Sequence, residues 1–308
     1  MPDFLSDFLA TLAASPALFV GCCVFLGLMI GSFLNVVIHR VPIMMDNELR
    51  DECAALSNQE SGGTEAPPPP PKFNIITPRS ACPKCRAPIT ALQNIPVVSW
   101  LALRGRCANC KTPISKRYPL VEFATGVLSG FIAWRFGFGM LAMSALAFTW
   151  FLIALTMIDF DTQYLPDSLT YPMLWLGLVA SLWHPVWGAG AEPVGPREAI
   201  IGAVAGYLSL WSIYWAFKLL TGKEGMGYGD FKLFAALGAW LGWKMLLLII
   251  VLASGVGAVF GILIMIRQRK GRDTQIAFGP FLAIAGWIAL IAGNDIVSRY
   301  LGLFARPT

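Results

Sequence analysis

Gly225-Met226-Gly227-Tyr228-Gly229-Asp230-Phe231-Lys232 lies between two long apolar runs and sets one carboxylate beside three nearby glycines. Far upstream, another apolar run ends in Ile158-Asp159-Phe160-Asp161-Thr162-Gln163-Tyr164-Leu165-Pro166-Asp167. Runs of this length and apolarity read as helices of membrane-spanning size. Two such helices would bring two carboxylates, Asp159 and Asp230, to one face of a bilayer.

Composition supports the membrane reading. Of the 308 residues, 56% are apolar and 13% charged, and the mean hydropathy is +0.63. Soluble domains carry about a quarter charged residues. This excludes an ordinary soluble globule and fits a polytopic membrane protein with one polar segment. The net charge of +5 resembles a nucleic-acid signal only until the charges are mapped, because they gather on one side of the expected membrane.

The expected fold is all-α, with about eight transmembrane helices and a small cytoplasmic zinc-ribbon-like loop domain. Residues 1–16 carry Asp3 and Asp7 but no Lys or Arg, the wrong start for a cleaved signal peptide. The first span is expected over 17–39, as an uncleaved anchor. The others are expected near 120–136, 140–158, 168–188, 198–220, 231–243, 245–266 and 276–294. Three parts follow: 1–40 as N-terminal segment and first helix, 41–119 as the loop domain, and 120–308 as a seven-helix membrane core. Within the loop domain, 54–71 includes SNQESGGTEAPPPPP, a Ser/Gly/Pro-rich insertion that cannot bury a core.

Orientation follows from Lys and Arg. With the N-terminus outside, eighteen of them fall inside and five outside (Arg135, Arg197, Lys244, Arg299 and Arg306). The positive-inside rule therefore places Asp159 and Asp230 on the cytoplasmic side. Glycine pairs at four-residue spacing, Gly27/Gly31, Gly126/Gly130, Gly202/Gly206, Gly238/Gly242 and Gly257/Gly261, mark close helix contacts. Gly255-Val256-Gly257 with Gly261 imitates a dinucleotide loop, but no strand precedes it.

The polar segment holds Cys82-Pro83-Lys84-Cys85 and Cys107-Ala108-Asn109-Cys110. Two such knuckles supply the four thiolates of a closed tetrahedral zinc site, and a segment this small needs a metal staple. Disulfides and a redox dithiol are the competing readings. A reducing cytoplasm and the absence of a βαβ pattern argue against both. With no open position, the metal would be structural. Cys22 and Cys23 read as small apolar residues inside a span, and Cys53 has no evident partner.

Each carboxylate also has a plain structural explanation. Asp230 opens a span and Asp167 precedes Ser168, so both could be helix N-caps. Asp159 closes a span, where a carboxylate opposes the helix dipole, so capping does not explain it. Asp161 reads as a loop carboxylate. Lys232 either biases the charge of the pair or faces lipid headgroups.

Gly227-Tyr228-Gly229-Asp230 is similar to the GxGD signature of intramembrane-type aspartyl peptidases. Further stretches resemble the type IV prepilin peptidases: Gly31-Ser32-Phe33-Leu34-Asn35-Val36-Val37 with Arg40 and Pro42; Pro96 with Ser99-Trp100-Leu101; and Arg104-Gly105-Arg106-Cys107. Tyr118-Pro119-Leu120-Val121-Glu122, Asp159 through Asp167, and Phe278-Gly279-Pro280-Phe281-Leu282 complete the resemblance. It covers nearly all of the chain after residue 15, apart from 57–71. It implies catalytic roles for Asp159 and Asp230, with Gly227, Gly229 and Lys232 in the active-site loop. It also implies cleavage of the basic leader of prepilins and pseudopilins after a glycine, at the cytoplasmic side of a bacterial inner membrane. A second implied activity methylates the new amino terminus from S-adenosylmethionine. Asn35, Arg40 and Glu122, polar groups at the loop's membrane edge, are the candidates for methyl transfer; His39 is the only histidine on the inside. The implied partners are the prepilins and the lipid bilayer, with no nucleic acid. The alternatives are a peptidase that cleaves without methylating, and a non-enzymatic zinc-ribbon scaffold of a secretion or pilus assembly.

Overall fold

A computed structural model describes residues 2–60, 73–183, 194–223, 225–268 and 277–304. The prolines of the insertion and Glu224 lie outside these. The described residues form helices and no strand. In chain order they are α1 (Pro2–Ala14), α2 (Pro16–Glu60), a 3-10 turn (Leu92–Asn94), α3 (Val98–Ala102), α4 (Arg117–Phe136), α5 (Met140–Thr162), α6 (Asp167–Trp183), α7 (Pro196–Thr221), α8 (Tyr228–Leu241), α9 (Trp243–Gln268) and α10 (Gly279–Phe304).

Five of these are long and apolar enough to cross a membrane: Pro16–Ser57, Met140–Thr162, Pro196–Thr221, Trp243–Leu263 and Gly279–Gly302. The chain is a multi-pass membrane protein. The other three expected spans are helical but lie outside this set. The 14 residues of α8 reach about 21 Å at 1.5 Å per residue, short of a hydrocarbon core about 30 Å thick. At 17 residues, α6 is also short, and α4 carries Arg117, Glu122 and Arg135. The first span was expected to end at His39, whereas α2 runs on to Glu60. Beyond the membrane a helix needs no apolar run, so hydropathy marks only where its apolar part stops. Ser15 and Pro16 open α2 in the usual way: the Ser15 hydroxyl accepts from Leu18 N–H at 3.4 Å, and Pro16 stands where an N–H is not required.

The chain divides into two compact units, Val20–Phe131 and Met1–Phe19 with Ile132–Thr308. In the first, α2 and α4 lie antiparallel and meet through the expected glycines. A Cβ on Gly31 would stand 2.7 Å from Glu122 Cα, and one on Gly126 would stand 2.9 Å from the Leu28 side chain. Between these helices the two cysteine knuckles repeat one backbone design. Cys82 N–H donates to Ala87 O as Cys107 N–H does to Thr112 O, and Ile89 N–H donates to Ser80 O as Ile114 N–H does to Gly105 O. Arg86 and Lys111 both take φ 57.

The second unit is built around α8. Every residue from Asp230 to Leu241, apart from half-buried Lys232, is buried among α6, α7, α9 and α10. Enclosure explains how so short a helix sits among longer ones. Small residues let its neighbours close in: Gly202 meets the Gly238 carbonyl, and a Cβ on Gly206 would lie 2.6 Å from Phe234 O. Trp240 Nε1 donates to Met173 O at 2.7 Å, and Trp287 Nε1 donates to Thr149 Oγ1 at 3.2 Å. Apolar surroundings make such partners obligatory for an indole N–H. Gly238→Leu is expected to destabilise the detergent-solubilised protein by about 1–3 kcal/mol through overpacking. At Gly255, a Cβ would meet nothing within 4 Å, so Gly255→Leu should have little effect. Equal shifts of the unfolding midpoint for the two would contradict this packing.

Candidate functional site

Asp159 lies in the last turn of α5. Gln163 takes the left-handed conformation (φ 55) and its N–H donates to Asp159 O at 2.8 Å, ending the helix just beyond the carboxylate. The Asp159 side chain is buried, and its Oδ2 has no hydrogen-bond partner among the described residues. Buried polar atoms are almost always paired, so an orphaned one asks for a reason. The first turn of α10 faces it, with the Gly279 N–H directed at the carboxyl. That approach stops short of a hydrogen bond to Oδ2. A Cβ on Gly279 would fall 2.5 Å from Oδ2, so only glycine allows this approach.

Asp230 is buried in the first turn of α8. It is not the N-cap that its position suggests: Gly227 caps the helix, and Asp230 is the third residue in. Asp230 N–H donates to Gly227 O at 3.2 Å, and Asp230 Oδ2 accepts from Gly227 N–H at 3.3 Å. The segments that carry Asp159 and Asp230 share a contact. Buried Leu165 connects the segments that carry them. A Cβ on Gly229 would lie 2.8 Å from Leu165 Cβ, and one on Gly279 would lie 3.1 Å from Leu165 Cδ1. Gly227 keeps the space beside Asp230 clear, since the nearest side-chain atom to a Cβ there is Asp230 Oδ2 at 3.9 Å.

Lys232 neither faces open headgroups nor stands beside the pair unneutralised. Its Nζ donates to both carboxylate oxygens of Asp167, each at 2.7 Å. Asp167, read as a cap, is instead the first residue of α6 and the partner in this ion pair; the carbonyl that receives the first α6 amides belongs to Pro166. Asp161 is exposed.

In the other unit, Cys82, Cys85, Cys107 and Cys110 gather with all four Sγ atoms within 4.8 Å of one another, and Cys82 and Cys110 Sγ are 3.8 Å apart. The Thr112 hydroxyl, 3.2 Å from Cys110 Sγ, and the Thr112 backbone hold the Cys110 thiol down to about 6. Asn109 Nδ2 donates to Cys85 Sγ at 3.7 Å. The group can hold one metal ion.

Asn35, Arg40 and Glu122 occupy that same unit, each with a backbone partner. Asn35 Nδ2 donates to Tyr118 O at 3.1 Å. Buried Arg40 donates to Asn74 O at 2.8 Å, Ile75 O at 3.3 Å and Pro78 O at 2.5 Å, and lies over the Phe73 ring. Glu122 Oε2 accepts from Val97 N–H at 2.7 Å.

The sequence reading missed the contact of Gly279 with Asp159 and the Asp167–Lys232 pair. Phe278-Gly279-Pro280 carried a signal, a glycine before a proline at the start of an apolar run, but nothing local said what it faced.

Comparison with known proteins gives a consistent answer. Residues 25–136 match the family model described as the bacterial peptidase A24 N-terminal domain, and residues 146–262 match the type IV leader peptidase family. A protein of Stutzerimonas stutzeri named prepilin leader peptidase/N-methyltransferase is 53% identical over 96% of this chain and 98% of its own. Proteins of the same name from Pseudomonas aeruginosa and Neisseria gonorrhoeae are 52% and 51% identical, over 94% and 89% of this chain and 96% and 90% of theirs. No solved structure matches the chain.

Proposed function

The chain belongs to the type IV leader peptidase family, and on that premise we propose that it is a membrane aspartyl endopeptidase of prepilins and pseudopilins that also N-methylates its product. It cuts the basic leader after a glycine, at the cytoplasmic face of a bacterial inner membrane, with its N-terminus outside. Eight helices cross or enter the bilayer, the short α8 being enclosed by α6, α7, α9 and α10.

Asp159 and Asp230 are the catalytic pair. The observation that carries this is a buried carboxylate oxygen without a partner among the described residues, Asp159 Oδ2, with a second buried carboxyl, Asp230, on a segment joined to it through Leu165. Two close carboxyls do not both ionise cheaply, so they share one proton. The ionised member takes a proton from the attacking water while the protonated member polarises the scissile carbonyl. As the tetrahedral intermediate collapses, the proton passes to the leaving amine. Gly227 and Gly229 leave room for an extended peptide beside Asp230. The titration belongs to the pair and not to either residue.

The four cysteines hold structural zinc. A Zn–S bond of about 2.3 Å sets tetrahedral edges near 3.8 Å, which the Cys82–Cys110 separation of 3.8 Å fits. Zinc there supplies no open coordination position and only fixes the fold of the loop. S-adenosylmethionine supplies the methyl group. The polar heads of Asn35, Arg40 and Glu122 are engaged by backbone groups, of α4 for Asn35 and of the loop for Arg40 and Glu122. They serve methylation by holding the loop in place.

Incubation of the purified protein with a prepilin and S-adenosylmethionine, followed by mass measurement, tests the function. The product should lose its leader and gain one methyl group. An uncut prepilin would contradict the peptidase, and a cut but unmethylated one the second activity. For the metal, Cys107→Ser should lower bound zinc from one equivalent to below about half. It should also depress methylation more than cleavage. Intact protein without zinc would contradict the site.

A further inference from the structure

The ion pair of Lys232 and Asp167 is not explained by helix capping, by lipid or by the chemistry just assigned. It joins the fifth residue of α8, just past the turn that bears Asp230, to the first residue of α6, across 65 positions of sequence. Its geometry is close and two-pronged, with both Nζ–O distances at 2.7 Å. The Lys232 ammonium also lies 5.2 Å over the ring of Tyr171. Asp167 and Tyr171 are four residues apart on α6, so one face of that helix receives the ammonium with charge and ring together.

What the pair connects gives it meaning. Asp230 stands two residues before Lys232. Leu165 stands two residues before Asp167 and follows Asp159 through one short turn. Leu165 packs on Gly229 and reaches the place where Gly279 meets Asp159. The α8 turn bearing Asp230 is therefore gripped on both sides, by Leu165 on Gly229 and by Asp167 on Lys232. Both grips come from the one segment, 165–167, that continues from Asp159.

We propose that Asp167 and Lys232 form a positioning clamp that holds the first turn of α8, and with it Asp230, at working distance from Asp159. This rests on the reading of the two aspartates as the catalytic pair. The clamp acts through that pair and touches no substrate. Pairing with Asp167 also neutralises the lysine, so its charge does not stand alone beside two carboxyls whose work depends on one shared proton. Asp167 is thus a positioning residue, and Asn is no substitute for it although Asn caps helices equally well.

The test uses the full-length protein in nanodiscs, with prepilin cleavage followed at varied substrate. Lys232→Met and Asp167→Asn should each lower kcat by about 10- to 100-fold, since displacement of about 1 Å costs that much. KM should stay within about twofold, because uniform substrate binding is untouched. The double variant Asp167→Asn/Lys232→Met should be no slower than the slower single, as expected for two residues acting as one unit. Lys232→Arg, which keeps the charge, should recover activity to within about fivefold of the unsubstituted enzyme. The thermal midpoint is read alongside; if Lys232→Met does not fold, Asp167→Asn and Lys232→Arg carry the comparison.

Three results would overturn the clamp: an unchanged kcat in Asp167→Asn, a rise in KM at constant kcat, or losses that multiply in the double variant. The second would mean that the pair touches the leader. Asp230→Asn, run in parallel, keeps the two readings apart. If it cleaves normally, the catalytic pair fails; if it is inactive while Asp167→Asn is normal, only the clamp fails.

Discussion

Asp159→Asn and Asp230→Asn are each expected to lower the rate of prepilin cleavage by about 100- to 10,000-fold, the range over which a positioned acid or base contributes. Asparagine keeps the shape of the side chain but neither takes up a proton from water nor releases one. Asp230 sits among buried neighbours and accepts from Gly227 N–H, a bond the asparagine oxygen also accepts, so the fold should hold. Asp159 Oδ2 has no hydrogen-bond partner among the described residues, so replacing that oxygen with NH2 breaks no bond there. Losing either residue should cost nearly as much as losing both, because the two carboxyls work on one water and one carbonyl. The check is kcat for each single and the double variant, with the thermal midpoint as control. Independent, multiplying losses would mean that the two carboxyls do not act together.

Gly279→Ala is expected to lower cleavage by about 100-fold, through a displacement of about 1 Å at the reacting groups. The added methyl would lie 2.5 Å from Asp159 Oδ2 and 3.1 Å from both Asp159 Cγ and Leu165 Cδ1. The carboxyl must turn away, or the first turn of α10 must retreat. Either movement breaks the alignment of Asp159 with Asp230, and the retreat also withdraws the Gly279 N–H from the carboxylate. Substrate binding should change little, so the loss belongs in kcat. Gly255→Ala, in open space on α9, is the matched control and should keep its activity. A Gly279→Ala enzyme with ordinary kcat would show that Oδ2 has room to spare.

The legible parts of this molecule are those written in short stretches. Apolar runs end at Asp159 and begin near Asp230, so the sequence shows both carboxylates at helix ends. Gly202 and Gly238 sit inside apolar runs at the spacing of close helix contacts, and their backbones meet. The two C-x2-C knuckles carry their own spacing, and their thiols gather.

What stayed hidden depends on distant segments or on context. Lys232 reads as a cation that biases the pair or faces lipid headgroups, because nothing near it in sequence announces Asp167. Gly279 is only a glycine before a proline until the fold brings Asp159 against it. The continuation of α2 to Glu60 leaves no apolar trace, because a helix outside the membrane is free to be polar. The short α8 is explained by the helices around it and not by its own length. Arg40 and Glu122 read as polar groups available to a ligand; backbone partners distant in sequence occupy them instead.

The separation of the Asp159 and Asp230 carboxyl groups in an experimental structure of the protein in a lipid nanodisc tests the central claim most directly. The account predicts that one water, or the proton shared between the groups, bridges them, with oxygen contacts of about 2.6–3.2 Å. Carboxyls too far apart for one water to touch both would contradict the catalytic pair, and with it the peptidase mechanism.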